Sequence, residues 1–221
     1  GRSDLRPDFL RRDLEASLRR LKLERIPLLQ VHWPCELGTE LSESFGCLGE
    51  LQEQGLVGAI GVCNYGAEEL LRLRDIAPVV SLQSPYSLLR RELELELLGA
   101  CEGLGVLAYE PLCRGLLAGA YEPGHRFPDS DLRSRDERFR GARFDRSVAL
   151  ARDLGRVGDK LGVTASAVAI AWVAAQPGVT TVIAGAKSPE QVEQNVAGLR
   201  YLQRHRVWQV VSRVAAVHEG G

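Results

Sequence analysis

The sequence predicts an α/β fold built on a parallel sheet. Three observations carry that expectation: short apolar runs that end in breakers, amphipathic stretches between them, and steady alternation of the two. The first run is the most telling. Leu28-Leu29-Gln30-Val31 passes directly into His32-Trp33-Pro34: an imidazole, an indole and a residue that cannot donate to a ladder. In parallel α/β folds, chemistry gathers at the carboxyl ends of strands. His32 is therefore the first candidate for a working side chain.

The elements follow in order. Leu10, Leu14, Leu18 and Leu21 recur at helical spacing and form one apolar stripe. The strand Ile26–Val31 follows, then a helix from about Glu40 to Gln54 that stops at Gly55. Ala59–Val62 is the second strand, leading into Cys63-Asn64-Tyr65 and a helix over 67–76. Val79–Gln83 is the third, followed by a helix from about Arg91 to Glu102. Gly105–Tyr109 is the fourth, closed by Glu110-Pro111. From Ala120 to about Asp145 periodicity disappears, and the Arg-rich stretch 126–146 reads as a solvated surface loop. A sharper alternative uses Arg133, Arg138 or Arg143 to help cover a bound cofactor. Helices over 146–161 and 164–175 precede the last strand, Thr180–Ile183. Helices over 189–196 and 204–217 close the chain, the former with Ser188 as N-cap and Pro189 in its first turn.

Composition narrows the function classes. A formal charge of −1 over 221 residues gives no basic field for nucleic acid or an anionic membrane. No apolar stretch approaches the ~20 residues that span a bilayer, and the expected compartment is the cytoplasm. The five cysteines (35, 47, 63, 101, 113) contain no CxxC, and the four histidines are scattered, so no metal site is expected.

The strand ends read as a set. LLQVHWP, AIGVCNY, VVSLQSPYSLL, VLAYEPLCRGLLAG and VTTVIAGAKSPEQVEQN occur in one order. Together they resemble the aldo-keto reductase family from about Asp8 to Leu199. The resemblance implies a (β/α) barrel of TIM type, with about five of its eight β/α units present plus a C-terminal helix. It implies a single domain over 1–221, an incomplete barrel lacking its N-terminal strands. It also implies NADP(H) as cofactor and hydride transfer between the nicotinamide and a small carbonyl or alcohol.

Residue roles follow from the same resemblance. His32 matches the histidine that orients the carbonyl and stabilises developing oxyanion charge, and Trp33 is placed to line the substrate pocket. Asn64 and Gln83 match the amides that bind the cofactor's carboxamide, a task suited to groups that both donate and accept. Taken singly, both would be ordinary turn and strand-end residues. Cys63 stands where many members have serine. Tyr109 matches the aromatic that stacks on the nicotinamide, and Leu112, Arg114 and Gly115 match the segment that approaches the pyrophosphate. Glu110 replaces a common serine there, and an acid beside a pyrophosphate is unfavourable unless it points away. Gly185, Lys187, Gln191, Gln194 and Asn195 match the adenosine end, where Lys187 and a helix N-terminus suit a 2′-phosphate. Gln191 replaces a frequent arginine.

An aspartate, a tyrosine and a lysine complete the family's catalytic group at earlier strand ends. None of the chain's three lysines fits: Lys22 precedes a strand, Lys160 lies in a helix and Lys187 is assigned to the adenosine end. Together with the absence of methionine, this implies the C-terminal part of a barrel, holding the catalytic histidine and most of the cofactor site. A non-catalytic nicotinamide-binding barrel, serving as sensor or regulator, is the competing reading. An unrelated phosphate-binding barrel built around Ser188 leaves Asn64, Gln83 and Tyr109 unexplained. Purified alone, the chain is expected to be poorly soluble and to reduce no carbonyl substrate. Monodisperse protein with NADPH-dependent reduction in a consumption assay would refute this.

Overall fold

Strands β1 (Ile26–Val31), β2 (Val57–Cys63), β3 (Val79–Pro85), β4 (Gly105–Tyr109) and β5 (Val179–Ile183) form one five-stranded sheet in chain order. The computed structural model describes residues 3–219. Helices occupy the connections: α1 (Pro7–Leu21), α2 (Leu41–Glu53), α3 (Ala67–Leu73), α4 (Gly141–Leu161), α5 (Ala165–Ala174), α6 (Pro189–Val196) and α7 (His205–Glu219). The expected parallel α/β class is the one observed. Two compact units divide the chain. The first runs to Ser84 and adds Glu92–Leu107; the second comprises Pro85–Arg91 and Ala108 onward.

In the first unit, β1 and β2 pair in parallel with Val31 opposite Val62, and β2 pairs with β3 with Cys63 opposite Gln83. A register irregularity at Ile60/Gly61 precedes that second pairing. Phe45, Leu48 and Leu51 of α2, three residues apart on one helix face, and Ile60 and Val62 of β2 are buried. The leucine stripe of α1 is only partly covered: Leu14 is buried, whereas Leu21 is 60% exposed.

One expected helix takes another form. The segment after β3 is a π-turn over Leu93–Leu97 followed by a 3-10 turn over Leu98–Cys101. Its sequence, Leu-Glu-Leu-Glu-Leu, alternates with period two, so an α-helical turn cannot bury all three leucines. Leu93 is buried and Leu95 faces out.

The second unit is organised by α5. The helix is apolar all round, and every residue from Ala167 to Val173 is buried, as expected of a helix covered on all faces. Thr164 caps it by accepting from the Ala167 amide at 3.1 Å. Trp172 is fully buried, and its indole donates to Ser212 of α7 at 2.8 Å. Gly198 allows a close approach: a Cβ there would stand 2.3 Å from the Ala167 carbonyl oxygen.

Most of the region 120–145 is exposed, as its composition suggests, but an aromatic cluster anchors it. Tyr121, Phe127, Phe139 and Phe144 meet edge-on or tilted, with ring centroids 5.2 to 6.5 Å apart. Phe139 and Phe144 are buried with Cys113, Leu116 and Val148. Arg133 lies 4.6 Å over the Phe127 ring and donates to the Tyr121 hydroxyl at 2.5 Å. α4 begins five residues earlier than the sequence indicates because Phe144 anchors its first turn in this cluster.

Replacing Trp172 by alanine removes the largest fully buried side chain and leaves Ser212 without its donor. The expected loss is about 3–5 kcal/mol of stability, read as a lower denaturant midpoint.

Candidate active site and cofactor-binding residues

In the first unit, strand register brings three of the expected residues to one rim. His32 directly follows β1, Asn64 follows β2, and Gln83 lies on β3 opposite Cys63. Asn64 ties them together. Its backbone amide donates to the Gln83 carbonyl at 3.0 Å, and its Nδ2 donates to the His32 carbonyl at 2.9 Å. The Asn64 backbone is left-handed, at φ 63°, a conformation that asparagine tolerates better than most residues. The His32 ring is exposed and stacks against Trp33, with centroids 5.9 Å apart. Trp33 is 51% exposed. Cys63 is buried beneath this rim, and burial pushes its thiol pKa up.

In the second unit, β4 ends at Tyr109, whose carbonyl accepts from the Tyr86 amide at 3.0 Å. The chain then turns through a series of left-handed residues: Glu110, Cys113, Arg114 and Gly115 all have positive φ. The Leu112 carbonyl closes this turn by accepting from the Gly115 amide at 2.9 Å and the Leu117 amide at 3.2 Å. Gly115 is at φ 97°, and a Cβ there would meet the Tyr121 hydroxyl at 3.4 Å. The turn is thus a cradle that a side chain would begin to fill.

Glu110 faces arginines. Its carboxylate lies 3.1 Å from Arg114, 3.3 Å from Arg138 and 3.8 Å from Arg90. Asp136 joins the network through Arg138 at 2.7 Å and Arg114 at 3.4 Å. Three guanidiniums thus face two carboxylates. The Arg138 hydrogen bond holds the Asp136 carboxyl below the usual carboxylate range, and that partnership raises the Arg138 pKa.

After β5, four of the five adenosine-end candidates converge. The Lys187 amide donates to Gln191 Oε1 at 2.7 Å, and Asn195 Nδ2 donates to the Gly185 carbonyl at 3.3 Å. Ser188 caps α6 by accepting from the Gln191 amide at 3.4 Å. Gln194 is not drawn into this group; it lines a separate cavity of about 410 Å3 with Asp159, Gly162 and Thr164. Asp131 has its pKa lowered to about 2, mainly by hydrogen bonding to Arg133, with a further contribution from Lys187. The loop 120–145 therefore comes within electrostatic reach of Lys187. Composition alone gave no sign of this; the spaced aromatics of the loop were the available signal.

The five cysteines are all free thiols. Among the described residues, no group of three or more His, Cys, Asp or Glu could hold a metal ion, and no single helix is long and apolar enough to cross a bilayer.

A profile of the aldo/keto reductase family matches residues 1–209, and the chain belongs to that family. It is 34% identical over 184 residues to the aldo-keto reductase YhdN of Bacillus subtilis, covering 82% of this chain and 55% of that protein. It is 30% identical over 204 residues to an NADH-specific methylglyoxal reductase of Escherichia coli, covering 89% and 61%. The structure of a glycerol dehydrogenase from Gluconobacter oxydans superposes with a TM-score of 0.91 at 34% identity, over 99% of this chain and 67% of that one. The chain spans between about half and two thirds of the length of these curated relatives. The fold is that of the aldo-keto reductase barrel, and the family is one of oxidoreductases that use nicotinamide cofactors on small carbonyl compounds.

Asp131 supplies a pH test of the loop. Because its folded pKa is depressed, its contribution to stability is full above 3.8 and is lost as pH falls through about 2. Asp131→Asn is expected to flatten the acid limb of stability against pH within that window. An unchanged acid limb, read from denaturant midpoints, would contradict the assignment.

Proposed function

We propose that this chain carries the catalytic histidine and most of the cofactor site of an NADP(H)-dependent aldo-keto reductase acting on a small carbonyl or alcohol. The carrying observation is the rim on which Asn64 ties His32 and Gln83 together. The bound nicotinamide supplies or accepts the hydride. The donor set suits such a cofactor: amides at strand ends, an aromatic at the end of β4, a glycine cradle, and a cation beside a helix N-terminus.

In this reading, Asn64 and Gln83 bind the carboxamide and so fix the orientation of the ring. Tyr109 covers one ring face and keeps water from it. His32 donates a hydrogen bond to the substrate oxygen and stabilises the negative charge that develops there. Asn64 also acts as a positioning residue, since its hold on the His32 carbonyl fixes the backbone that carries the imidazole. Trp33, stacked on that imidazole, forms an apolar wall for the substrate. Leu112, Arg114 and Gly115 approach the pyrophosphate, with Glu110 turned toward its arginines.

Gly185, Gln191 and Asn195 hold the adenosine end, and Gln194 contributes from the next turn of α6 or not at all. Lys187 meets the 2′-phosphate. The tyrosine, aspartate and lysine of the family's proton relay have no match among these 221 residues, so turnover by this chain alone is not expected. Cofactor occupancy without turnover, as in a sensor, is the other outcome of the same binding residues.

The cofactor assignment is open to direct measurement. Among the relatives, one is titled NADH-specific and another, from Schizosaccharomyces pombe, is titled for NADP(+). Lys187→Ala in the full chain is expected to weaken NADPH binding about tenfold, the scale of one charge-assisted phosphate contact, and to leave NADH binding nearly unchanged. Equal losses for both cofactors in a fluorescence titration would reject the 2′-phosphate role. Failure of both cofactors to bind the parent chain would reject the site.

A further inference from the structure

We propose that the pocket over the first turns of α4 is a second ligand site, for a small anion with an apolar body, such as an aryl phosphate. The pocket encloses about 460 Å3, within the size range of small-molecule sites. Its base is apolar, with Leu88 and Leu116 buried at 1% and 2% exposure. Its walls carry the guanidiniums of Arg91, Arg138, Arg143 and Arg146, and no carboxylate lines it. Arg138 and Arg143, two of the arginines that the sharper sequence reading uses to cover the cofactor, line it, but none of the residues matched to the cofactor's own site does.

The charges in this pocket are unequally satisfied. Arg138 is held by Asp136 and Glu110. His218, also at the pocket, is held by Asp153 at 3.0 Å. Arg143 and Arg146 have no ion-pair partner among the described residues. They stand three residues apart on one helix, where like charges repel. They also stand near the N-terminus of α4, where the macrodipole already places positive charge and the first turn holds no acidic residue; Asp145, between them in sequence, accepts from the Gly124 amide at 3.0 Å and does not line the pocket. An anion seated between them relieves both penalties at once. The buried leucines beneath reward a ligand that brings an apolar group with that anion.

Phenyl phosphate is a suitable probe, with inorganic phosphate and phenol as its two halves. Calorimetric titration of the full chain is expected to give saturable binding that exceeds either half alone and weakens with salt. Arg143→Gln and Arg146→Gln, both at solvent-accessible positions, are each expected to weaken it about tenfold. Lys187→Ala is expected to leave it unchanged, which separates this site from the cofactor's. Non-saturable binding, or binding that the Arg143→Gln/Arg146→Gln double variant retains in full, would overturn the proposal. Loss of binding in Lys187→Ala would overturn it too, by assigning the phosphate to the cofactor site.

Discussion

The rim formed by the ends of β1, β2 and β3 depends on one asparagine in a left-handed conformation. Parallel pairing aligns the ends of β1, β2 and β3, but alignment alone leaves the first residue beyond each strand free to diverge. Asn64 prevents this by spending its backbone donor on β3 and its side-chain donor on the residue after β1. A residue without that amide could make only one of the two bonds, and a β-branched residue would also strain at φ 63°. Three strand ends thereby share one geometry, and His32 inherits a fixed backbone although its ring is exposed.

In the second unit, charge does comparable work. Three arginines surround the Glu110 carboxylate. The turn that follows is left-handed at successive residues, so the arginine network closes over a backbone that would be costly to hold open.

Much of this was legible in the sequence because it is local. β1, β4 and α6 have the bounds that apolar runs, breakers and caps indicate. The order of motifs picks out His32, Asn64 and Gln83, and hydrogen bonds from Asn64 link the three. What stayed hidden is what long-range contact decides. The Leu93–Leu97 segment has helical composition but a period of two, and it became a π-turn. The stretch 120–145 looked like surface because arginine and aspartate outnumber its aromatics, while its four rings are spaced too irregularly to show a periodicity. Gln194 and Asn195 are adjacent in sequence and chemically alike; only the direction of each side chain on α6 separates them.

Two aspartate–arginine pairs in the 120–145 loop share one pattern. In Asp131-Leu132-Arg133 and again in Asp136-Glu137-Arg138, the aspartate accepts both the backbone amide and the guanidinium of the residue two positions on. Asp4-Leu5-Arg6 repeats the pattern near the start of the described chain. Each clasp closes over only three residues, so almost no chain entropy is lost in bringing its ends together. Such contacts form without waiting for distant strands to meet. The loop thus carries its own stiffening, and its shape is set by short-range chemistry while the sheet around it is set by long-range pairing.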